Sequence, residues 1–104
     1  MYEDLIMVRA NLVRKLGGDI PGACAMSVIH HRGLGLPFEE ENLRWVKISL
    51  PELGKALGIS PTQAGRVVRK LVDQGVLHSR VKNDAPNDRT RSYAINVQPW
   101  YESE

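Results

Sequence analysis

The chain has 104 residues, 42% of them apolar and 25% charged, a composition and size that exclude a disordered or collagen-like chain and point to a single domain spanning 1–104. The single cysteine, Cys24, excludes an internal disulfide framework and a cysteine-based zinc finger or ribbon. No apolar run approaches 18 residues, and Met1-Tyr2-Glu3-Asp4 lacks the basic-then-apolar order of a signal peptide, so a soluble, cytoplasmic protein without membrane association is expected. The net charge of +2 conceals an uneven distribution. Residues 1–43 hold four basic and six acidic residues, residues 44–97 ten basic and four acidic, and the tail 98–104 two acidic residues alone. A basic segment of that kind points to an acidic partner, most often nucleic acid.

Taken in chain order, Leu5-Ile6-Met7-Val8 reads equally as a short strand or the first turn of a helix. Leu12, Val13 and Leu16 carry helical spacing up to the stop at Gly17-Gly18. Asp19 caps a second, small-residue-rich helix with Pro21 in its first turn, ending before Gly33-Leu34-Gly35-Leu36-Pro37. Glu39-Glu40-Glu41 continues that loop as a solvated acidic run. The alternation in Arg44-Trp45-Val46-Lys47-Ile48 predicts a short, half-buried strand.

Two closely spaced helices follow. Ser49 with Glu52, and Ser60 with Gln63, have capping-box spacing, each with proline in the first turn. Gly58 and Gly75 stop the two helices. Leu50, Leu53, Ala56 and Leu57, then Ala64, Val67, Val68 and Leu71, form the apolar stripes. Residues 76–81 and 90–97 read as the strands of a hairpin, with Tyr93, Ile95 and Val97 on one face and a charged, turn-rich loop between the strands.

From Trp45 to Val97 this order resembles the winged helix-turn-helix superfamily of DNA-binding proteins. The segment from Leu53 to Leu77 carries most of the resemblance, through Ala56 and Leu57 before the turn, Ser60 as cap, Ala64, Val68 and Leu71 as core, and Gly75 before an apolar pair. The whole chain is also loosely similar to the winged-helix modules of phage and plasmid replication proteins, in Leu12 to Leu16, Ala23 to His31, and Arg44-Trp45-Val46. The resemblance implies an α+β winged helix-turn-helix fold: a three-helix core with a small antiparallel sheet and a two-stranded wing. It divides the chain into N-terminal helices and loop (1–43), strand, helix-turn-helix and wing (44–97), and a tail (98–104).

The function so implied is sequence-specific binding of double-stranded DNA by a small bacterial, phage or plasmid transcription regulator, acting at the nucleoid with no chemistry of its own. A recognition helix over about 60–74 would enter the major groove and a basic wing over about 80–91 would reach the flanking minor groove or backbone. On the helix, Ser60, Thr62, Gln63, Arg66, Arg69 and Lys70 are the candidate contacts. Gln63 suits adenine, Arg66 guanine, and Thr62 a base edge or phosphate, while Arg69 and Lys70 suit phosphates. Gly65, read on the same outward face, allows close approach. In the wing the candidates are Arg80, Lys82, Asn83, Arg89 and Arg91, with Asp84 and Asp88 holding Arg89 or Arg91 by ion pairs.

Palindromic sites mirror protein symmetry, so a homodimer is the second expected partner. Trp100 and Tyr101 either dock back on the first helices or help form the dimer with Tyr2. The alternatives are a winged-helix protein–protein interaction module and the DNA-binding module of a replication protein; the polar, cationic face of the second helix favours DNA over an interaction scaffold. No enzyme is expected, because no nucleophile–base pair, phosphate loop or metal set is evident, and no cofactor or small-molecule ligand is indicated. His30-His31 point about 100° apart on a helix and lack a third ligand. Cys24 reads as a small core residue.

Overall fold

The computed structural model describes residues 10–81 and 87–95. Tyr2, Leu5 to Val8, Lys82, Asn83, Asp84, Asn96, Val97, Trp100 and Tyr101 lie outside the described residues. Four helices, α1 (Ala10–Lys15), α2 (Ile20–Gly33), α3 (Leu50–Leu57) and α4 (Pro61–Asp73), join three strands, β1 (Val46–Lys47), β2 (Leu77–Arg80) and β3 (Ser92–Ile95). The strands form one antiparallel sheet in the order β1-β3-β2, and the class is therefore α+β, as expected.

Local chemistry accounts for the starts of α2, α3 and α4. Asp19 accepts a hydrogen bond from the Gly22 amide at 3.0 Å, satisfying one of the orphan donors of α2. At α3, the Ser49 hydroxyl accepts from the Glu52 amide and the Glu52 carboxylate accepts from the Ser49 amide. The same reciprocal pair joins Ser60 and Gln63 at α4. Between α3 and α4 the chain reverses at Gly58, whose φ of 74° lies in the left-handed region that glycine adopts without a Cβ penalty. The Ile59 amide then bonds the Gly54 carbonyl at 2.9 Å, drawing the turn tightly onto the body of α3.

The core fills the space between α2, α3, α4 and the inner face of the sheet. Leu12, Met26, Ile29, Ile48, Leu53, Leu71 and Tyr93 are its largest fully buried side chains. α4 packs along α3, both contact α2, and α2 also contacts β3. Ala64, Val68 and Leu71 are buried while Thr62, Gln63, Arg66, Arg69 and Lys70 are exposed, the division expected from helical spacing.

Three expectations change. The strand expected over 44–48 pairs only at Val46 and Lys47, opposite Tyr93 and Ser92. Part of the acidic run is a short 3-10 turn, Glu40–Asn42, rather than open loop. The third change concerns β3, where all four residues are buried instead of alternate ones. β3 is the central strand, and its outer face is covered as well as its inner one. Continuing the β1–β3 register by one residue puts Trp45 beside Ala94, whose other neighbour is His78 on β2. Strands two places apart lie about 10 Å from each other, yet the Trp45 and His78 rings approach to 6.2 Å between centroids. The small Ala94 side chain leaves room for the rings to meet above it.

Gly65 also needs a different explanation from the outward one. A Cβ there would sit 3.3 Å from Cδ1 of Leu50, so this glycine faces α3. The contact is with the end of a flexible side chain, and alanine recovers ~1 kcal/mol of helix propensity. Gly65→Ala is therefore expected to keep the midpoint of a thermal melt within about 5 °C of wild type. A fall of about 10 °C or more would show that Leu50 has no room to yield.

Candidate nucleic-acid interface

The outward face of α4, the start of α3 and the strand end at β3 enclose an open groove of about 1070 Å³. Its floor is apolar, with Ile48, Leu50, Val68, Val72 and Tyr93. Four arginines line it: Arg66 and Arg69 from α4, Arg89 and Arg91 from the chain leading into β3. Hydroxyls of Ser49, Thr62, Ser79 and Thr90 stand among them, and among the described residues no acidic side chain is in the lining. First-turn residues of both α3 (Leu50, Pro51) and α4 (Pro61, Thr62) border the same space. Arginine stays charged at any physiological pH, so these four side chains give the groove a positive wall.

Of the expected site residues, Thr62, Arg66, Arg69, Arg89 and Arg91 converge here. Their convergence depends on the long-range pairing of β3 with β1 and β2, which brings residues 89–91 alongside α4. The Ile48 amide bonds the Arg91 carbonyl at 3.2 Å, and an Arg91 guanidinium nitrogen donates to the Ser79 hydroxyl at 3.3 Å. Arg91 is thereby tied at both backbone and side chain.

Other expected residues have different surroundings. Ser60 is exposed and caps α4 through its hydroxyl. The Gln63 side-chain oxygen is engaged by the Ser60 amide at 3.0 Å, so a bidentate contact to adenine, which needs both amide atoms, would open the capping box. Lys70 is exposed, but its ammonium lies 3.6 Å from the Asp19 carboxylate, beside the start of α2. Arg80 departs furthest from its expected role. It lies on the outer face of the sheet, 4.1 Å above the Trp45 ring and 2.9 Å from the Glu39 carboxylate. Arg44 covers the Phe38 ring in a similar way at 4.4 Å. The Arg80 contacts fasten Glu39 and Trp45 to β2, and the Arg44 contact braces the 38–45 segment internally. Arg80 is thus a structural tie, and Lys82 and Asn83 lie outside the described residues.

Asp88 pairs with Lys47 at 2.6 Å, not with the expected Arg89 or Arg91. It also accepts the Thr90 amide at 3.0 Å. The Lys47 bond foremost, then the Thr90 amide and the Thr90 side chain, push its carboxyl down from the ordinary 3.8 to about 2. Because the folded value is the lower one, the stabilisation from this pair is complete above about pH 4 and disappears as pH falls toward 2. An NMR titration of the Asp88 side-chain carbonyl carbon is expected to give a midpoint near 2. A midpoint at the ordinary 3.8 would mean that the pair does not form in solution.

No family model matches the chain, and no curated protein or solved structure matches it significantly. Among the described residues, no three His, Cys, Asp or Glu side chains gather to hold a metal ion, and no helix is long and apolar enough to cross a membrane. Burial raises the Cys24 thiol above its ordinary value, which disfavours the reactive thiolate.

Sequence reasoning missed Ser49, Ser79 and Thr90 as groove residues and the Lys47–Asp88 link. Ser49 had been absorbed by its capping role. The rest depend on contacts between residues far apart in the chain, for which no local signal exists.

Proposed function

We propose that this chain binds double-stranded DNA in the manner of a winged helix-turn-helix protein and serves as a small transcription regulator of bacterial, phage or plasmid type. α4 is the helix that enters the major groove, and residues 87–91 belong to the wing. The observation that carries the reading is the meeting of Arg66, Arg69, Arg89 and Arg91 in one groove, with no acidic side chain among the described lining residues. α4, 13 residues long, spans about 20 Å, enough to lie in a groove about 12 Å wide. Arg66, in the second turn, reads a guanine edge with its planar fork, and Thr62 meets a base edge or a phosphate. Arg69, Arg89 and Arg91 neutralise phosphates and fix the register of the helix on the duplex.

Fluorescence anisotropy of a labelled random-sequence duplex, titrated at several salt concentrations, tests the reading. Three phosphate contacts give a log–log salt slope of about −3. Absence of binding at about 50 mM salt, where non-specific attraction is strong, would overturn it in favour of a protein–protein interaction module.

A further inference from the structure

We propose that Asp88 is a positioning residue: by bonding Lys47, it holds Arg89 and Arg91 in the groove, so that this carboxylate strengthens the binding of a polyanion it would repel on its own. The proposal rests on the DNA-binding reading and names what sets the wing in place.

The connection between β2 and β3 runs from residue 81 to residue 91. Of it, the irregular stretch 87–91 is positioned by a few tethers. Asp88 supplies two of them. One carboxylate oxygen takes the Lys47 ammonium at 2.6 Å, across 41 residues of sequence. The other takes the Thr90 amide at 3.0 Å, closing a local turn around Arg89. Lys47 belongs to β1, at the edge of the sheet, and β1 continues into Ile48, whose amide holds the Arg91 carbonyl. Residues 88 to 91 are thus fastened at both ends of a four-residue stretch, and the two arginines between these tethers line the groove.

The partner of Asp88 matters for the electrostatics. Its charge is answered by Lys47 on the sheet edge, which leaves the guanidinium groups of Arg89 and Arg91 available to phosphates. The side chains of the pair keep 49% and 30% of their exposure, so it is weak and contributes little to global folding. A weak tether still decides where a loop sits.

Simple charge counting and positioning predict opposite signs for one substitution. Asp88→Asn keeps an acceptor for the Thr90 amide and makes the protein one unit more positive. If Asp88 acts only through its charge, the variant binds duplex more tightly and with a steeper salt slope. If it positions the arginines, the variant binds about two- to fivefold more weakly, with a slope shallower by about one. The double variant Lys47→Met with Asp88→Asn removes the pair without changing net charge and keeps an acceptor for the Thr90 amide; positioning predicts the same two- to fivefold weakening, whereas charge counting predicts wild-type affinity.

The measurement is anisotropy of the same labelled duplex with wild type and both variants, alongside thermal melts that confirm folding. Wild-type binding with Asp88→Asn equal or tighter overturns the positioning role alone. Wild-type affinity in the double variant also overturns it, because the ion pair is then not what holds the arginines. No binding by wild type at about 50 mM salt overturns the DNA-binding reading, and the positioning role falls with it.

Discussion

Gly54→Ala is expected to destabilise the protein by ~2–4 kcal/mol, among the largest effects of any single-methyl addition to this chain. Gly54 is buried in α3, and a Cβ there would stand 2.6 Å from the Ile59 carbonyl oxygen and 3.2 Å from two backbone atoms of Ser60. Those atoms belong to the turn between α3 and α4, which closes on α3 through the Ile59 amide bond to the Gly54 carbonyl. A backbone carbonyl has no rotamer with which to move aside. The turn must open or α4 must tilt, and either change disturbs the buried contacts of Ala64 and Leu71. In a domain of this size the loss lowers the melting midpoint by about 10–20 °C. A midpoint within about 3 °C of wild type would mean that the two helices meet less closely than described. Gly65→Ala is the control: it also adds one methyl to a helical glycine, but opposite a side chain.

Arg66→Ala is expected to cost ~1–3 kcal/mol in affinity for a selected duplex site and to relax base preference at one position. Arg66 is exposed at the mouth of the groove, one turn from Thr62 and close to Arg69. Its neighbours in sequence, Gly65 and Val67, are turned toward the body of the protein, so its direction follows from the burial of Ala64 and Val68. The measurement is competition between the selected site and random duplex. Equal weakening on both would assign Arg66 to a phosphate and remove it from base reading.

The parts of this structure that depend on neighbours in sequence were legible before the fold was described. Ser49 with Glu52 and Ser60 with Gln63 declared their capping boxes by spacing, and the amphipathic stripe of α4 declared which side would be exposed. Parts that depend on distant residues were hidden. Nothing local in Lys47 or Asp88 reveals that they meet, and Arg80 looked like a wing residue because its bond to Glu39 and its stacking on Trp45 span the fold. The burial of Ser92 and Ala94 follows from the central position of β3, which no alternation pattern encodes. Gly65 shows a subtler limit: it lies at the border of the polar face of α4, and only the crossing of α3 decides which way it looks. Gly54 carried a usable signal in its place four residues before Gly58, where the returning chain passes closest to α3.

The most direct test of the groove as a nucleic-acid interface is an amide chemical-shift titration of the labelled protein with a short duplex. The expected perturbations fall on residues 60–69 of the α4 side and on 89–91, while Trp45, His78 and Arg80 on the outer face of the sheet stay unmoved. Perturbations concentrated on that outer face instead, with the arginine groove silent, would contradict the assignment of the interface.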